Sequence, residues 1–216
     1  MALKNLVIHR KFIIINIIAL LLLATPMQAM AQSNSIEWGS TETTTTLPNY
    51  FSFVKSVKND QAGVLRGVYV PGILALPIIQ QPVRHPEFIS ENYSEVTQFD
   101  LATQAGNVGL LAHNHLSGED FFNLLPGQEV RLIYGDGSAE SFIISQVLRY
   151  QALEPYNANS AFRDLETNTL ITAEELFRKM YQGNRHITFQ TCIEANGDAS
   201  WGRLFVMAQP TGFSSR

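Results

Sequence analysis

Short runs rich in β-branched and aromatic residues, punctuated by glycine and proline, follow one another along most of the chain. The clearest pair is a hairpin in which 129–134 and 141–147 flank the turn Gly135-Asp136-Gly137. Further strands of similar composition are predicted over 64–70, 73–80, 107–112, 187–192 and 203–208. Because no long helices alternate with these runs, the sequence predicts a mainly all-β fold, either a barrel or a sandwich.

Helical signals are few. Thr172 and Glu175 form a capping box, and Gly183 suits the position just after a helix, so one helix is predicted between them. Leu176, Phe177 and Met180 form its apolar stripe. A second, single helical turn is predicted over 118–125, with three side chains available to the core: Phe121, Phe122 and Leu125.

The first 31 residues have the pattern of an export segment. Lys4, Arg10 and Lys11 precede an apolar run over 12–25, and the small residues of Ala29-Met30-Ala31 follow. At about 1.5 Å per helical residue the run is short for a bilayer core, although the segment extended to residue 31 can just cross. Residues 1–31 are therefore interpreted as a signal peptide or an N-terminal membrane anchor, and both place the remainder outside the cytoplasm.

The rest of the chain divides into a spacer and one domain. Residues 32–50 are polar and rich in Ser and Thr, which is typical of a tether, and 51–216 are long enough for a single packed domain. The leader holds three Lys/Arg and no Asp/Glu, so without it the formal net charge falls from −4 to −7. An acidic body argues against nucleic acid as a partner.

Cys192 is the only cysteine, so no disulfide can form within the chain. In an exported protein it is buried and inert, paired between chains, or a free reactive thiol, and composition alone favours burial. Alternation over 187–192 puts Ile187, Phe189 and Thr191 on one face of a strand, and Thr188, Gln190 and Cys192 on the other. Arg203 opens the next strand, so a thiol and a guanidinium can lie side by side at one rim of the sheet.

His113 and His115 follow a buried strand and are the histidines that can approach this rim. Two histidines at positions i and i+2 can also bind zinc, but no third ligand at a familiar spacing accompanies them, so no metal site is predicted. A purely structural role for one of them, through a hydrogen bond to a loop, is the remaining alternative.

These pieces resemble the sortases, the cysteine transpeptidases of bacterial surfaces. Sortases carry the motif T-L-x-T-C, and this chain has Thr188-Phe189-Gln190-Thr191-Cys192, followed by the strand Arg203-Leu204-Phe205-Val206-Met207-Ala208. Upstream, Leu111-Ala112-His113 and Gly118-Glu119-Asp120-Phe121-Phe122-Asn123-Leu124 are similar to the family's histidine segment. Phe189 in place of Leu, and Ala112 in place of Gly, are the departures.

The resemblance implies a closed β-barrel of about eight strands with one or two short helices, and an acyl transfer that uses no cofactor. Cys192 would be the nucleophile, His113 the general acid and base with His115 as the alternative, and Arg203 the oxyanion stabiliser. Thr191 would help to bind the substrate. The partners would be a peptide with a sorting motif and an amine acceptor, at the outer face of the cytoplasmic membrane.

Two other functions remain open on the sequence. A thiol peptidase would use the same residues with water as the acceptor, because the acceptor site is not encoded in the three side chains. An exported binding domain with a sortase fold and no activity is the other alternative. The retention of Cys192, His113 and Arg203 together favours an enzyme over that domain.

Overall fold

A computed structural model of the chain describes residues 47–212. The predicted leader at 1–31 and most of the predicted tether lie outside the described residues. Three α-helices are present in the described part: α1 (Tyr50–Val57), α2 (Asp100–Gln104) and α3 (Ala173–Tyr181). Its strands are β1 (Leu65–Val70), β2 (Leu74–Gln80), β3 (Val96–Phe99), β4 (Val108–Leu111), β5 (Glu129–Tyr134), β6 (Ala139–Ala152), β7 (Phe162–Asp164), β8 (Leu170–Ile171), β9 (Ile187–Ala195) and β10 (Asp198–Pro210).

Eight of these strands close into a barrel. Their order is β10-β9-β4-β3-β2-β1-β5-β6, and β6 pairs with β10 to complete the ring. The β2–β3 and β4–β9 pairs are parallel, and the other pairs of the ring are antiparallel. The short strands β7 and β8 extend the sheet from β6 outside the ring. The predicted mainly β fold with a closed barrel of about eight strands is confirmed.

The barrel interior is filled by one side of each strand. On β9, Ile187 and Phe189 lie on one face, as the alternation predicted, and this face is fully buried in the core. On β10, Leu204 and Val206 point into it, so Arg203, Phe205 and Met207 point outward. The same alternation puts Val108 and Leu110 of β4 inside. The outward sides of β4, β9 and β10 therefore form one continuous surface, because the three strands are neighbours.

Helix α3 covers part of this outward surface. Its Leu176 and Met180 are buried against Phe205 of β10 in a second apolar cluster outside the barrel. The helix begins at the N-cap Thr172, where the predicted capping box with Glu175 is formed. The outward surface thus has an apolar wall on one side. The capping residues of α3 set the position at which the helix that forms this wall begins.

Replacing Thr172 by alanine should lower the free energy of unfolding by about 1 kcal/mol, because the Glu175 backbone N–H loses its acceptor. Urea denaturation followed by circular dichroism measures this change. Glu175→Gln is the matched control, since a glutamine at this position can still accept from the Thr172 backbone N–H. Equal stability of Thr172→Ala and the unmodified chain would show that α3 does not need its cap.

The segment after β4 differs from its predicted form. Ser117–Asn123 forms a 3-10 helix, in which Phe121 and the following Leu124 are buried, whereas Phe122 and Leu125 are 38% and 57% exposed. The prediction that Phe122 and Leu125 enter the core was wrong. A 3-10 helix repeats every three residues, so it directs side chains i and i+3 to the same side.

The turn between β9 and β10 is shorter than the sequence suggested. β9 continues past Cys192 to Ala195, and Asn196 and Gly197 form the turn with φ angles of 55° and 77°. Positive φ at both central residues is the requirement of a two-residue turn that matches the twist of the strands. The register shifts between Asp198 and Gly202, and beyond this irregularity the two strands pair regularly.

No helix within residues 47–212 is both long enough and apolar enough to span a lipid bilayer.

Candidate active site

Cys192 and Arg203 are direct partners across the β9–β10 pair. Residues in such opposed positions have Cβ atoms about 5 Å apart and direct their side chains to the same face. Both side chains leave the barrel on its outward surface, and Cys192 is partly exposed. The structure therefore opposes Cys192 and Arg203 on the outward surface of the barrel, where Cys192 is accessible to a substrate.

His113 lies beyond the end of the strand next to β9. The parallel register pairs Leu111 with Gln190, and the Ala112 N–H donates to the Gln190 carbonyl at 3.3 Å. The register ends at that pair, two residues before His113 and Cys192. Leu110 and Ala112 face the core, whereas His113, beyond the end of β4, is partly buried.

His115 is close to His113 but more exposed. Their ring centroids are 5.5 Å apart, and His113 is partly buried whereas His115 is exposed. The Asn114 side chain between them donates to the Ala199 carbonyl at 3.1 Å, which ties this segment to the β9–β10 hairpin. His113 also lines a concavity of about 520 Å³ with residues 85 and 87–92 of the β2–β3 connection.

The Arg203 guanidinium is held by backbone carbonyls. Its Nη1 donates to the carbonyls of Ser200 and Gly202, both at 2.8 Å, and its Nη2 donates to that of Pro155 at 3.3 Å. Among residues 47–212 it forms no ion pair. Its charge is therefore fixed in position without being neutralised by a carboxylate of the described chain, which suits it to bind a negative charge that develops nearby.

The connection between β6 and β7 also reaches this region. The Tyr156 hydroxyl donates to the Asp198 carboxylate at 3.0 Å, and Pro155 accepts from Arg203. The hydrogen bond to Asp198 raises the pKa of Tyr156, and the charge of a Cys192 thiolate raises it further, so Tyr156 is within electrostatic reach of the thiol. Sequence reasoning missed Pro155 and Tyr156, because no motif links them to a strand more than forty residues away.

A groove runs beside Arg203. It encloses about 210 Å³ and is lined largely by apolar and aromatic side chains. Its lining residues are Phe99, Ala158, Phe162, Ala173, Leu176, Phe177, Tyr181, Gln190, Arg203 and Phe205. Such a surface can bind apolar side chains of an extended peptide next to the Cys192–Arg203 pair.

Thr191 faces the other way from Cys192. It is 2% exposed, and its hydroxyl makes no hydrogen bond within residues 47–212. The oxygen lies against Gly118, where an added Cβ would be 2.3 Å from it and 2.6 Å from the His113 carbonyl oxygen. Thr191 and Gly118 thus pack the backbone of the histidine segment against β9, and the contact of Thr191 with a substrate stays a prediction.

The buried His186 lies just before β9, far along the strand from Cys192. Its ring nitrogens face the carbonyls of Asn184 and Met180 at 2.7 and 2.8 Å. These contacts give it a structural role at the start of the strand. Within residues 47–212, no group of three or more His, Cys, Asp or Glu side chains lies together as a metal site requires.

Known proteins similar to this chain are found among solved structures. A scan against protein-family models finds no match, and a search of curated proteins finds no significant match. Among solved structures, the chain is similar to sortase A of Listeria monocytogenes, with 12% identity, a TM-score of 0.43, and coverage of 68% of this chain and 86% of that chain.

Two further solved structures have comparable similarity. A sortase D5 transpeptidase of Clostridium perfringens has 15% identity and a TM-score of 0.43, with coverage of 76% of this chain and 91% of that chain. Sortase C1 of Streptococcus suis has 13% identity and a TM-score of 0.45, with coverage of 77% of this chain and 80% of that chain. These similarities identify no residue's role.

Arg203→Lys should reduce kcat of the acyl transfer that the family resemblance implies about 100-fold, with a smaller change in KM. A lysine keeps the charge but cannot donate to the carbonyls of Ser200, Gly202 and Pro155 from one planar group, so its position is no longer fixed. Steady-state kinetics with a fluorogenic peptide measures both constants. Arg149→Lys, at an exposed position of β6, is the control, and an unchanged kcat in Arg203→Lys would exclude the role in oxyanion binding.

Proposed function

We propose that this chain is a sortase-type cysteine transpeptidase. It cleaves a peptide bond in a sorting signal through a thioacyl-enzyme and transfers the acyl group to an amine. The observation that carries the proposal is the direct opposition of Cys192 and Arg203 on the outward surface. The parallel pairing of β4 with β9, which ends two residues before His113 and Cys192, supports His113 as the third member of the site. A nucleophile, a fixed cation and an acid/base group are the set that acyl transfer from an amide requires.

In the first half of the reaction, the Cys192 thiolate attacks the carbonyl carbon of the scissile peptide bond. The carbonyl oxygen gains negative charge in the tetrahedral intermediate, and Arg203 stabilises that charge. The protonated His113 imidazole gives its proton to the leaving nitrogen as the C–N bond breaks, because an unprotonated amide nitrogen is a poor leaving group. The products are a thioester on Cys192, a free amine and a neutral His113.

In the second half, an incoming amine attacks the thioester carbonyl. Neutral His113 accepts the proton that this amine loses, and the Cys192 thiolate leaves as the new amide bond forms. The enzyme thereby returns to its starting protonation state, with no net change in charge. No cofactor takes part in these steps, and the acceptor amine belongs to a second substrate of the cell surface.

The groove beside Arg203 supports a peptide as the acyl donor. Its wall is built from aromatic side chains of α3, β3 and β10, and the pair of Cys192 and Arg203 lies along the same face. An extended peptide that follows β9 can place apolar side chains against this wall and its scissile carbonyl at Cys192. The proposed location is the outer face of the cytoplasmic membrane, in line with the export pattern of residues 1–31.

Incubation of the full-length chain with fluorogenic peptides of the LPxTG type tests the proposal. With an amine acceptor present, we expect a transfer product whose mass contains the acceptor, together with loss of activity in Cys192→Ala. Mass spectrometry distinguishes transfer from hydrolysis, because water as the acceptor yields the free acid instead. Cleavage without any transfer product across a panel of amines would identify a thiol peptidase, and no cleavage of any peptide would contradict an enzymatic role.

A further inference from the structure

Gln190 lies in the wall of the groove, next to the proposed reaction centre. It is two residues before Cys192 on β9 and opposes Phe205 across the β9–β10 pair, so both side chains share the outward face with Arg203. Its side chain lines the groove together with Arg203 and Tyr181. The presence of a polar amide in this aromatic wall needs a chemical explanation, because the amide does not help to bind apolar side chains of a peptide.

The orientation of this amide follows from its neighbour. The Tyr181 hydroxyl donates to the Gln190 Oε1 atom, and Tyr181 is 3% exposed. Burial raises the pKa of Tyr181, so its hydroxyl keeps the proton that this bond needs. Within residues 47–212 the Tyr181 hydroxyl makes no other hydrogen bond. If the Gln190 Oε1 and Nε2 atoms exchanged positions, the buried proton of this hydroxyl would therefore have no acceptor. The Gln190 Nε2 atom is consequently the amide atom that is available to a substrate in the groove.

The groove has few other donors. Three backbone carbonyls already accept from Arg203, which leaves two of the five guanidinium N–H groups for an oxyanion. The aromatic side chains of Phe99, Phe162 and Phe205 provide none. The Nε2 atom of Gln190 makes no hydrogen bond within the described residues, so its two N–H groups are the donors at hand for a substrate that lies in the groove.

We propose that Gln190 is a substrate-positioning residue, whose amide N–H donates to a backbone carbonyl of the acyl-donor peptide while Tyr181 holds the amide in place. This inference rests on the proposed function. Residues i and i+2 of a strand are about 6.6 Å apart on one face, and the same spacing applies to an extended peptide. A peptide that runs parallel to β9 with its scissile carbonyl at Cys192 therefore brings the carbonyl two residues upstream close to Gln190.

Three variants test this role. Gln190→Ala removes the donor, and we expect KM for the fluorogenic peptide to rise about 5-fold with kcat nearly unchanged, as one neutral hydrogen bond predicts. Gln190→Glu has the same shape but presents only acceptors, so we expect a larger rise, of tenfold or more. Tyr181→Phe releases the amide and should have the smaller effect, about 2-fold. Gln146→Ala, at an exposed position of β6, is the control.

Two readouts separate this role from a merely structural one. The rate at which iodoacetamide alkylates Cys192 should be the same in the unmodified chain and in Gln190→Ala, since the thiol itself is unaltered. The binding of fluorescein-labelled LPxTG-type peptides to the Cys192→Ala chain, followed by fluorescence anisotropy, should weaken by the same factor as KM when Gln190→Ala is added. This second readout needs no turnover.

The outcomes are distinguishable. Turnover with the same KM in Gln190→Ala, Gln190→Glu and the unmodified chain would overturn the inference and leave the transpeptidase proposal standing. Peptide binding that depends on Gln190, without turnover by the unmodified chain, would support the inference and contradict the reaction. Neither binding nor turnover for any peptide would overturn both.

Discussion

Cys192→Ala is expected to lower turnover of a sorting-signal peptide by ~10⁴-fold or more, the effect seen when a covalent nucleophile is removed. Alanine keeps the backbone of β9 and its pairing with Arg203, so the loss is chemical rather than structural. The same variant should form no thioester that mass spectrometry can detect after a peptide is added. Peptide turnover is the first measurement, and the mass of the intact chain is the second.

The chain offers an internal control for this prediction, because Cys192 is its only cysteine. Any thiol-specific probe that labels the folded protein must label this residue, and the partial exposure of Cys192 predicts labelling without denaturation. A substrate peptide should slow the labelling by occupying the groove. Turnover by Cys192→Ala would show that Cys192 is not the nucleophile. A folded chain that the probe does not label would indicate that the Cys192 thiol is inert.

His113→Ala is expected to reduce kcat/KM by about 10²- to 10⁴-fold, which is the usual contribution of a positioned general acid and base. His113 follows β4, whose last residue, Leu111, pairs with Gln190, two residues before Cys192. His115→Ala is the matched control and should change kcat/KM by less than a factor of about three, because His115 is exposed and two positions further along.

The same pair of variants also reports on the protonation steps. Loss of proton transfer should lower kcat in His113→Ala with little change in KM, whereas His115→Ala should leave both constants close to those of the unmodified chain. Thermal denaturation of both variants controls for damage to the fold. The opposite pattern, with a severe loss only in His115→Ala, would transfer the acid/base role to His115.

Local signals in the sequence predicted much of this architecture. Alternation placed Ile187 and Phe189 on the same face of a strand, which is the buried face, and the capping box of Thr172 and Glu175 located α3 to within a residue. The opposition of Cys192 and Arg203 followed from the hairpin alone. These features depend on neighbours along the chain, which is why periodicity and turn residues could reveal them.

Other features depend on partners that are distant in the sequence. The Pro155 carbonyl that holds Arg203 is 48 positions away from it, and the Ala199 carbonyl that holds Asn114 is 85 positions away. No local pattern encodes such contacts. The exposure of Phe122 escaped prediction for a different reason, since an apolar composition does not distinguish a 3-10 helix from an α-helix.

The parallel pairing of β4 with β9 has a consequence for the order in which the protein acquires its chemistry. Cys192 and Arg203 meet through a two-residue turn, and such a hairpin forms within microseconds. The β4–β9 pair that leads to His113 forms only after a chain segment of many tens of residues has closed on itself, and non-local pairing of this kind is the slow part of folding. A chain that has formed only the β9–β10 hairpin therefore has the thiol and the cation of the proposed site without its histidine, and the proposed acyl transfer requires the closed barrel.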